Sequence, residues 1–328
     1  MKTLLAALTL MTFSSVASAQ ELTLMFIRSP GIEWNSPRSL AKSTVGNISK
    51  SYSLGHVNIR IACENREVLT GIYNRYSNET KDAVRKKGYG LGVLFNLFEG
   101  TLQKPKFIIP SFQNLTKENR TNFVTFKISS TTCQRLLDYH DQYETIMTTR
   151  QASVRRGMKP SHGQQIYYGF PAIPRNGEGG GCSGFALSYL EVAGIKEQWM
   201  VNEWSQSVLV PASTVGRPMR NDNIGLRALL FSSPQRWATP NEANFPLFFW
   251  DPDMMVRSTT AKINSRSVLV TSLYGSTGYI LDRTHVPTPT EPIFLNDPVN
   301  NPSDPTEVYN NIEELLRRYE ISREVSLL

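Results

Sequence analysis

Apolar and polar positions recur along this chain with two different periods. From Cys182 onward, Phe185, Ala186, Tyr189, Leu190 and Ala193 fall at helical spacing, and Gly194 stands where a C-terminal helix glycine belongs. Earlier in the chain, His56, Asn58 and Arg60 alternate with Val57, Ile59 and Ile61, which predicts a half-buried strand ending near Cys63. A polar turn (Glu64, Asn65, Arg66, Glu67) leads into a second apolar stretch, so residues 54–75 read as a β-hairpin. A turn centred on Asn65 sets His56 opposite Asn74 and Arg60 opposite Thr70. Further strands are predicted at residues 107–109, 123–128, 208–211, 245–250 and within 267–274. Thr131, Thr132, Cys133 and Gln134 predict a capping box opening a helix to about residue 148, followed by a basic loop over residues 150–163. Near the end, Asp304, Pro305 and Glu307 form a helix-start signal before Val308, Ile312, Leu315, Leu316 and Tyr319 on one face. No internal repeat interrupts this mixture, and the class is α+β.

The first residues change the compartment. Lys2, an apolar core over residues 4–13 and the small residues Ala17, Ser18 and Ala19 read as a cleavable secretory signal, residues 1–19. The protein is expected to be exported, periplasmic or extracellular, with no transmembrane segment; the apolar stretch at 245–250 is short and broken by Pro246. An apolar content of 40% with 19% charged residues over 328 positions fits a globular protein with a sizeable core. The formal charge of +7 falls by one when Lys2 leaves, and favours anionic surroundings such as cell-wall polymers or lipid head groups. No dense basic tract or aromatic–basic motif stands out, so no nucleic-acid partner is expected.

The candidate chemistry begins at Gly179-Gly180-Gly181-Cys182-Ser183-Gly184. A thiol in the first turn of a helix meets the positive end of the helix dipole and unpaired backbone N–H groups, both of which favour the nucleophilic thiolate. The alternative is a small buried core residue, the commonest role of cysteine. Cys63, Cys133 and Cys182 make an odd number for an oxidising compartment. A Cys63–Cys133 pair leaves Cys182 over, while three buried thiols is the competing arrangement. A thiolate needs an imidazole held by a third polar group. Of His56, His140, His162 and His285, His56 is the best candidate, because it follows Gly55 at the head of a strand and shares a face with Asn58 and Arg60. Asn74, opposite it in the hairpin, is the candidate orienting amide; otherwise both are polar residues of a solvated sheet face. No His/Cys/Asp/Glu cluster has metal-ligand spacing, and Gly88-Tyr89-Gly90-Leu91-Gly92 lacks the lysine of a phosphate loop, so neither metal nor cofactor is expected.

The Gly-His-Val-Asn-Ile-Arg-Ile strand at residues 55–61 and the later Gly-Gly-Cys-Ser-Gly-Phe-Ala-Leu-Ser-Tyr-Leu helix at 180–190 resemble circularly permuted papain-like proteins of the NlpC/P60 superfamily, including its lecithin:retinol acyltransferase-like branch. In that group the histidine strand precedes the cysteine helix. The resemblance implies an antiparallel sheet packed on the cysteine-bearing helix, with Cys182 as nucleophile and His56 as base acting on amide or ester bonds. It covers residues 54–211 and has no motif for the third residue. The expected organisation is a papain-like domain over residues 20–216, with an insertion around 78–163, and a C-terminal extension packed on it over 217–328. The expected function is an exported thiol hydrolase acting on amide bonds, with a peptide or acyl substrate such as peptidoglycan. Two other readings use the same scaffold: a non-catalytic envelope binding or structural protein, and a lipid ester or amide hydrolase or acyltransferase.

Overall fold

The apolar run Glu21–Ile27 forms strand β1, and its burial on both faces places it inside the main sheet. The computed structural model describes residues 20–75, 77–96, 98–155, 167–168, 172–217 and 219–296. The secretory signal, His162 and the helix expected from residue 304 lie outside the described residues. After β1 come helix α1 (Pro37–Gly46), strands β2 (His56–Cys63), β3 (Arg66–Thr70) and β4 (Ile72–Asn74), and helix α2 (Ser77–Arg85). Strand β5 (Phe98–Leu102), helix α3 (Pro105–Lys117), strand β6 (Thr121–Lys127), helix α4 (Ser130–Arg155) and strand β7 (Tyr167–Tyr168) follow. The remainder is helices α5 (Cys182–Val192) and α6 (Gln198–Trp204), strand β8 (Ser205–Pro211), helix α7 (Leu226–Phe231), strand β9 (Asn244–Trp250), helix α8 (Pro252–Asn264) and the hairpin β10 (Leu269–Leu273) and β11 (Ser276–Asp282).

Six strands make the main sheet in the order β10-β11-β6-β1-β2-β3. All neighbours are antiparallel except β11 and β6, which run parallel with Gly278 beside Phe123. The fold is α+β with a mostly antiparallel sheet. One face carries Leu22, Leu24, Phe26, Val57, Ile59, Ile61, Val124 and Phe126 and is covered by α4, α5, α6 and α8. Trp204 of α6 is fully buried there, edge-on to Phe26 at 5.3 Å, and its indole N–H donates to Ser258 Oγ at 3.3 Å. Such an aromatic contact contributes about 0.5–1.5 kcal/mol beyond the area it buries. The other face packs Met25, Ile27 and Phe123 on Ile108, Phe112 and Leu115 of α3.

Strand β2 lies between β1 and β3 with both faces largely buried, rather than half-solvated as its alternation predicts, because α3 covers the side that carries His56 and Asn58. The stretch at residues 107–109 is helical, not a strand. Pro105 opens α3, and Ile108, Phe112 and Leu115 present one apolar stripe at i, i+4 and i+7. Helix α4 starts two residues earlier than expected, with Ser129 Oγ rather than Thr131 accepting from the Thr132 N–H, at 3.2 Å, and it runs through residues 150–155, which the sequence assigns to a loop.

The region around residues 78–163 supplies β6, an inner strand of the main sheet, so it is built into the core rather than inserted beside it. Residues after 217 are likewise integral. Strands β10 and β11 extend the same sheet, and α8 contributes Met255 and Val256 to its core. A second, smaller core surrounds the antiparallel β8–β9 pair, and Trp250 packs against both cores. No helix among the described residues is long and apolar enough to cross a membrane.

Candidate active site

Cys182 is the first residue of α5, with Gly181 as N-cap and no side-chain cap. The helix forms as its pattern predicts: Phe185, Ala186, Tyr189, Leu190 and Ala193 are all fully buried. It ends in a Schellman motif, with Gly194 at φ 70°, the Gly194 N–H on Glu191 O and the Ile195 N–H on Leu190 O, both at 3.0 Å. The turn that delivers the cysteine is fixed by Glu178, whose carboxylate accepts from the Ile173 N–H at 2.8 Å and from Asn176 Nδ2 at 3.3 Å. A strap formed by residues 283–296 holds that turn from outside. Arg175 donates to Ile293 O at 3.1 Å and Pro292 O at 2.8 Å, and Leu295 N–H returns to Arg175 O at 2.9 Å.

His56 begins β2, beside Ile27 at the end of β1. The pairing of β2 with β3 stops at Ile59–Thr70, so His56 to Asn58 present an edge at which α5 approaches. Cys182 and His56 come together here, 8% and 3% exposed. His56 Nε2–H donates to Gln103 Oε1 at 2.8 Å and to Asn58 Oδ1 at 3.1 Å. With Nε2 occupied by amide oxygens, Nδ1 is the nitrogen left for the Cys182 thiol, which hydrogen-bonds the ring. Burial pulls the imidazole toward its neutral form, but the Cys182 charge and hydrogen bond, with the amides of Gln103 and Asn58, outweigh it and hold His56 above its ordinary value. Tyr52 stacks on the ring at 4.9 Å, and its hydroxyl accepts from Gln103 Nε2 at 3.2 Å.

Asn74 is not among the groups around His56. The hairpin turns at Glu64 and Asn65 with a register one residue from the expected one, pairing Arg60 with Leu69. Beyond Gly71 the chain leaves the main sheet, so Asn74 pairs with Gly100 of β5 and its amide donates to Thr80 Oγ1 at 2.8 Å. The amides that do reach the ring are those of Gln103, at the start of the segment between β5 and α3, and of Asn58, two residues along the same strand face. Gly71 is the signal for this. A Cβ there would lie 2.3 Å from Asn58 Oδ1 and 3.1 Å from Gln103 Oε1, so only glycine admits both amides. Gln103 is anchored by its N–H on Gly71 O at 2.8 Å and by the Thr70 hydroxyl on its carbonyl at 3.1 Å. Asn58 Nδ2 is buried with no hydrogen-bond partner among the described residues, a cost of about 1–3 kcal/mol that a water or substrate acceptor would remove.

Cys63 and Cys133 are joined in a disulfide between β2 and α4, and Cys182 is in no disulfide. His140 meets α5 about two turns beyond Cys182, with Nδ1 at 3.1 Å from the Tyr189 hydroxyl, and His285 sits on an exposed turn. The structure also gathers His140, Asp141 and Glu144, whose ligand atoms lie within 4.8 Å of one another, a grouping the sequence spacing did not reveal. Their existing partners compete with a metal: Arg66 holds both Asp141 oxygens at 2.6 and 2.7 Å and keeps that carboxyl below its ordinary value. A scan against protein-family models found no match to the chain, and neither did searches of curated proteins and of solved structures.

Proposed function

We propose that the chain is a thiol hydrolase of amide bonds, with Cys182 as nucleophile, His56 as base and acid, and Gln103 and Asn58 as positioning residues. The observation that carries this reading is a single buried imidazole hydrogen-bonded to Cys182 while two amide oxygens hold its other nitrogen. His56 takes the thiol proton at Nδ1, and the sulfur attacks the substrate carbonyl carbon. The resulting oxyanion meets the positive end of α5, where backbone N–H groups have no helical acceptor. Collapse of that intermediate breaks the C–N bond, and the imidazolium returns its proton to the departing amine. Water, deprotonated by His56, then attacks the acyl thioester, the carboxylate leaves and the thiol is restored. The arrangement supports a permuted papain-like reading of the sheet and cysteine helix, and with the N-terminal leader it favours a cell-wall peptide as substrate.

The test compares wild type, Cys182→Ala and His56→Ala for alkylation by iodoacetamide across pH, and for release of new amine termini from peptidoglycan. Cys182 should alkylate well below the pH range of a free thiol, with His56→Ala moving the rise back toward about 8.5. An identical profile in His56→Ala, or peptidoglycan left intact by a rapidly alkylating wild type, would overturn the base or the substrate respectively.

A further inference from the structure

At the end of the sheet where β1 finishes beside the start of β2 lies a cavity of about 880 Å³. We propose that it binds an anionic oxygen group, phosphate or carboxylate, carried by the substrate whose carbonyl Cys182 attacks; this assignment rests on the thiol-hydrolase reading.

Four cations line the cavity, Arg28, Lys50, Arg120 and Arg257, against the carboxylates of Glu118 and Asp253. Two carboxylates against four cations leave the lining with a formal excess of two positive charges. Asp253 is taken by Ser29, whose N–H and hydroxyl donate to its two oxygens at 2.5 and 2.6 Å, and Glu118 lies 3.3 Å from Arg120. Arg28, Lys50 and Arg257 are exposed and have no ion-pair partner among the described residues. A concave surface lined by unpaired cations focuses positive potential and concentrates anions.

The cavity is also built rather than incidental. Arg120, with a side chain only 8% exposed, donates to the carbonyls of Arg28 at 2.9 Å, Ser51 at 3.2 Å and Tyr52 at 3.3 Å, stapling two walls together. One of those walls touches the candidate dyad. Tyr52 lines the cavity, lies over the His56 ring and accepts from Gln103. It does so at φ 51°, a left-handed conformation that a tyrosine adopts only when its surroundings hold it there. An anion seated in the cavity therefore shares a wall with the groups that orient the base.

Calorimetric titration of the purified protein with pyrophosphate should show one saturable site. Binding should weaken about tenfold or more in the double variant Lys50→Ala/Arg257→Ala and fall with added salt. Lys42→Ala, which removes a cation outside the cavity, serves as the control and should bind as wild type does. A second measurement compares Cys182 alkylation by N-bromoacetyl-glutamate and by its glutamine counterpart, with the glutamate form faster in wild type and the advantage lost in the double variant. Absence of saturable pyrophosphate binding, or equal binding by the double variant, overturns the anion site. Fast iodoacetamide alkylation with no pyrophosphate binding overturns the site and keeps the nucleophile. Slow alkylation with tight pyrophosphate binding overturns the nucleophile and keeps the site.

Discussion

Gln103 reaches His56 across 47 positions of sequence, and its amide oxygen is the nearer of the two acceptors on Nε2. Replacing it by leucine removes that acceptor and the donor to Tyr52, and Cys182 alkylation is expected to slow by about 10- to 100-fold, as for groups that orient a ligand from behind. Asn74→Ala should leave the rate within about twofold, because its amide is spent on Thr80. Iodoacetamide kinetics on the two variants decide between them; the opposite ranking would restore Asn74 to the site. Gly71→Ala is the steric counterpart. Its Cβ meets Asn58 Oδ1 at 2.3 Å, so both amides must shift, and alkylation should slow although neither reacting residue is altered. An unimpaired rate in a folded Gly71→Ala protein would mean that the amides do not orient His56. At this scale the pair that the structure brings together, Cys182 and His56, was legible, and Gln103 behind it was not. Cys182 and His56 each sit at the head of a strongly patterned element, and Asn58 was visible as the neighbour of His56 on one strand face. Gln103 belongs to no pattern, since its contact is made only when β5 and β2 are both in place. The register of a hairpin turns on a single residue of its turn, and a one-residue slip exchanged Thr70 for Leu69 opposite Arg60.

Two elements are fastened by groups whose removal can be measured. The Cys63–Cys133 bridge spans 70 residues and ties β2 to α4. Loop-closure entropy makes its loss worth about 4 kcal/mol, so Cys63→Ala/Cys133→Ala should lower stability in urea by roughly that amount while Cys182 still alkylates. A variant that keeps full stability would show that strand and helix are held by packing alone. Asp251 caps α8, with its carboxylate accepting from the Asp253 N–H at 2.8 Å and from Gln206 at 2.5 Å. Burial outweighs these bonds and pushes its carboxyl up to about 6. A raised acid binds its proton more tightly folded than unfolded, so its contribution is most favourable below about 3.9 and declines as pH rises through about 6. Asparagine caps equally well without a charge, so Asp251→Asn should gain on the order of 1–3 kcal/mol relative to wild type between about pH 4 and pH 8. His56 and His140 titrate in both proteins and cancel in the difference. Urea melts giving a gain independent of pH would assign the effect to the cap rather than the charge. Among elements, α5, β6, β8, β9 and β10 were legible from period and turn signals. β1 was hidden because an inner strand buried on both faces reads as one apolar run, closely following the apolar run at residues 4–13 of the sequence. α3 was misread because Phe107, Ile108 and Ile109 have strand propensity, which the helical spacing of Ile108, Phe112 and Leu115 overrides.

The whole molecule closes on its own last third. Phe294 in the strap packs on Tyr139 at 5.3 Å, Arg135 and Arg175 clamp neighbouring carbonyls, and β11 lies along β6. A chain ended after residue 216 removes α7, β9, α8, β10, β11 and the strap together, and should lose the near-ultraviolet circular dichroism of packed aromatics. If it instead gives a folded monomer that alkylates as the full chain does, residues 217–296 are an appendage and the sheet tolerates their absence. That dependence was not legible, because the prolines and asparagines after residue 217 disguise short elements as loops and parallel pairing leaves no local signature. The pairing of β6 with β11 has a consequence in time. Phe123 and Gly278 are neighbours in space but emerge from the ribosome far apart, and so distant a contact must wait for the intervening chain. His56 and Cys182 are both synthesised well before that strand exists, yet the sheet that holds one against the helix carrying the other is unfinished until then. A nascent chain thus carries Cys182 for roughly a hundred residues of synthesis before β11 can join the sheet that holds His56.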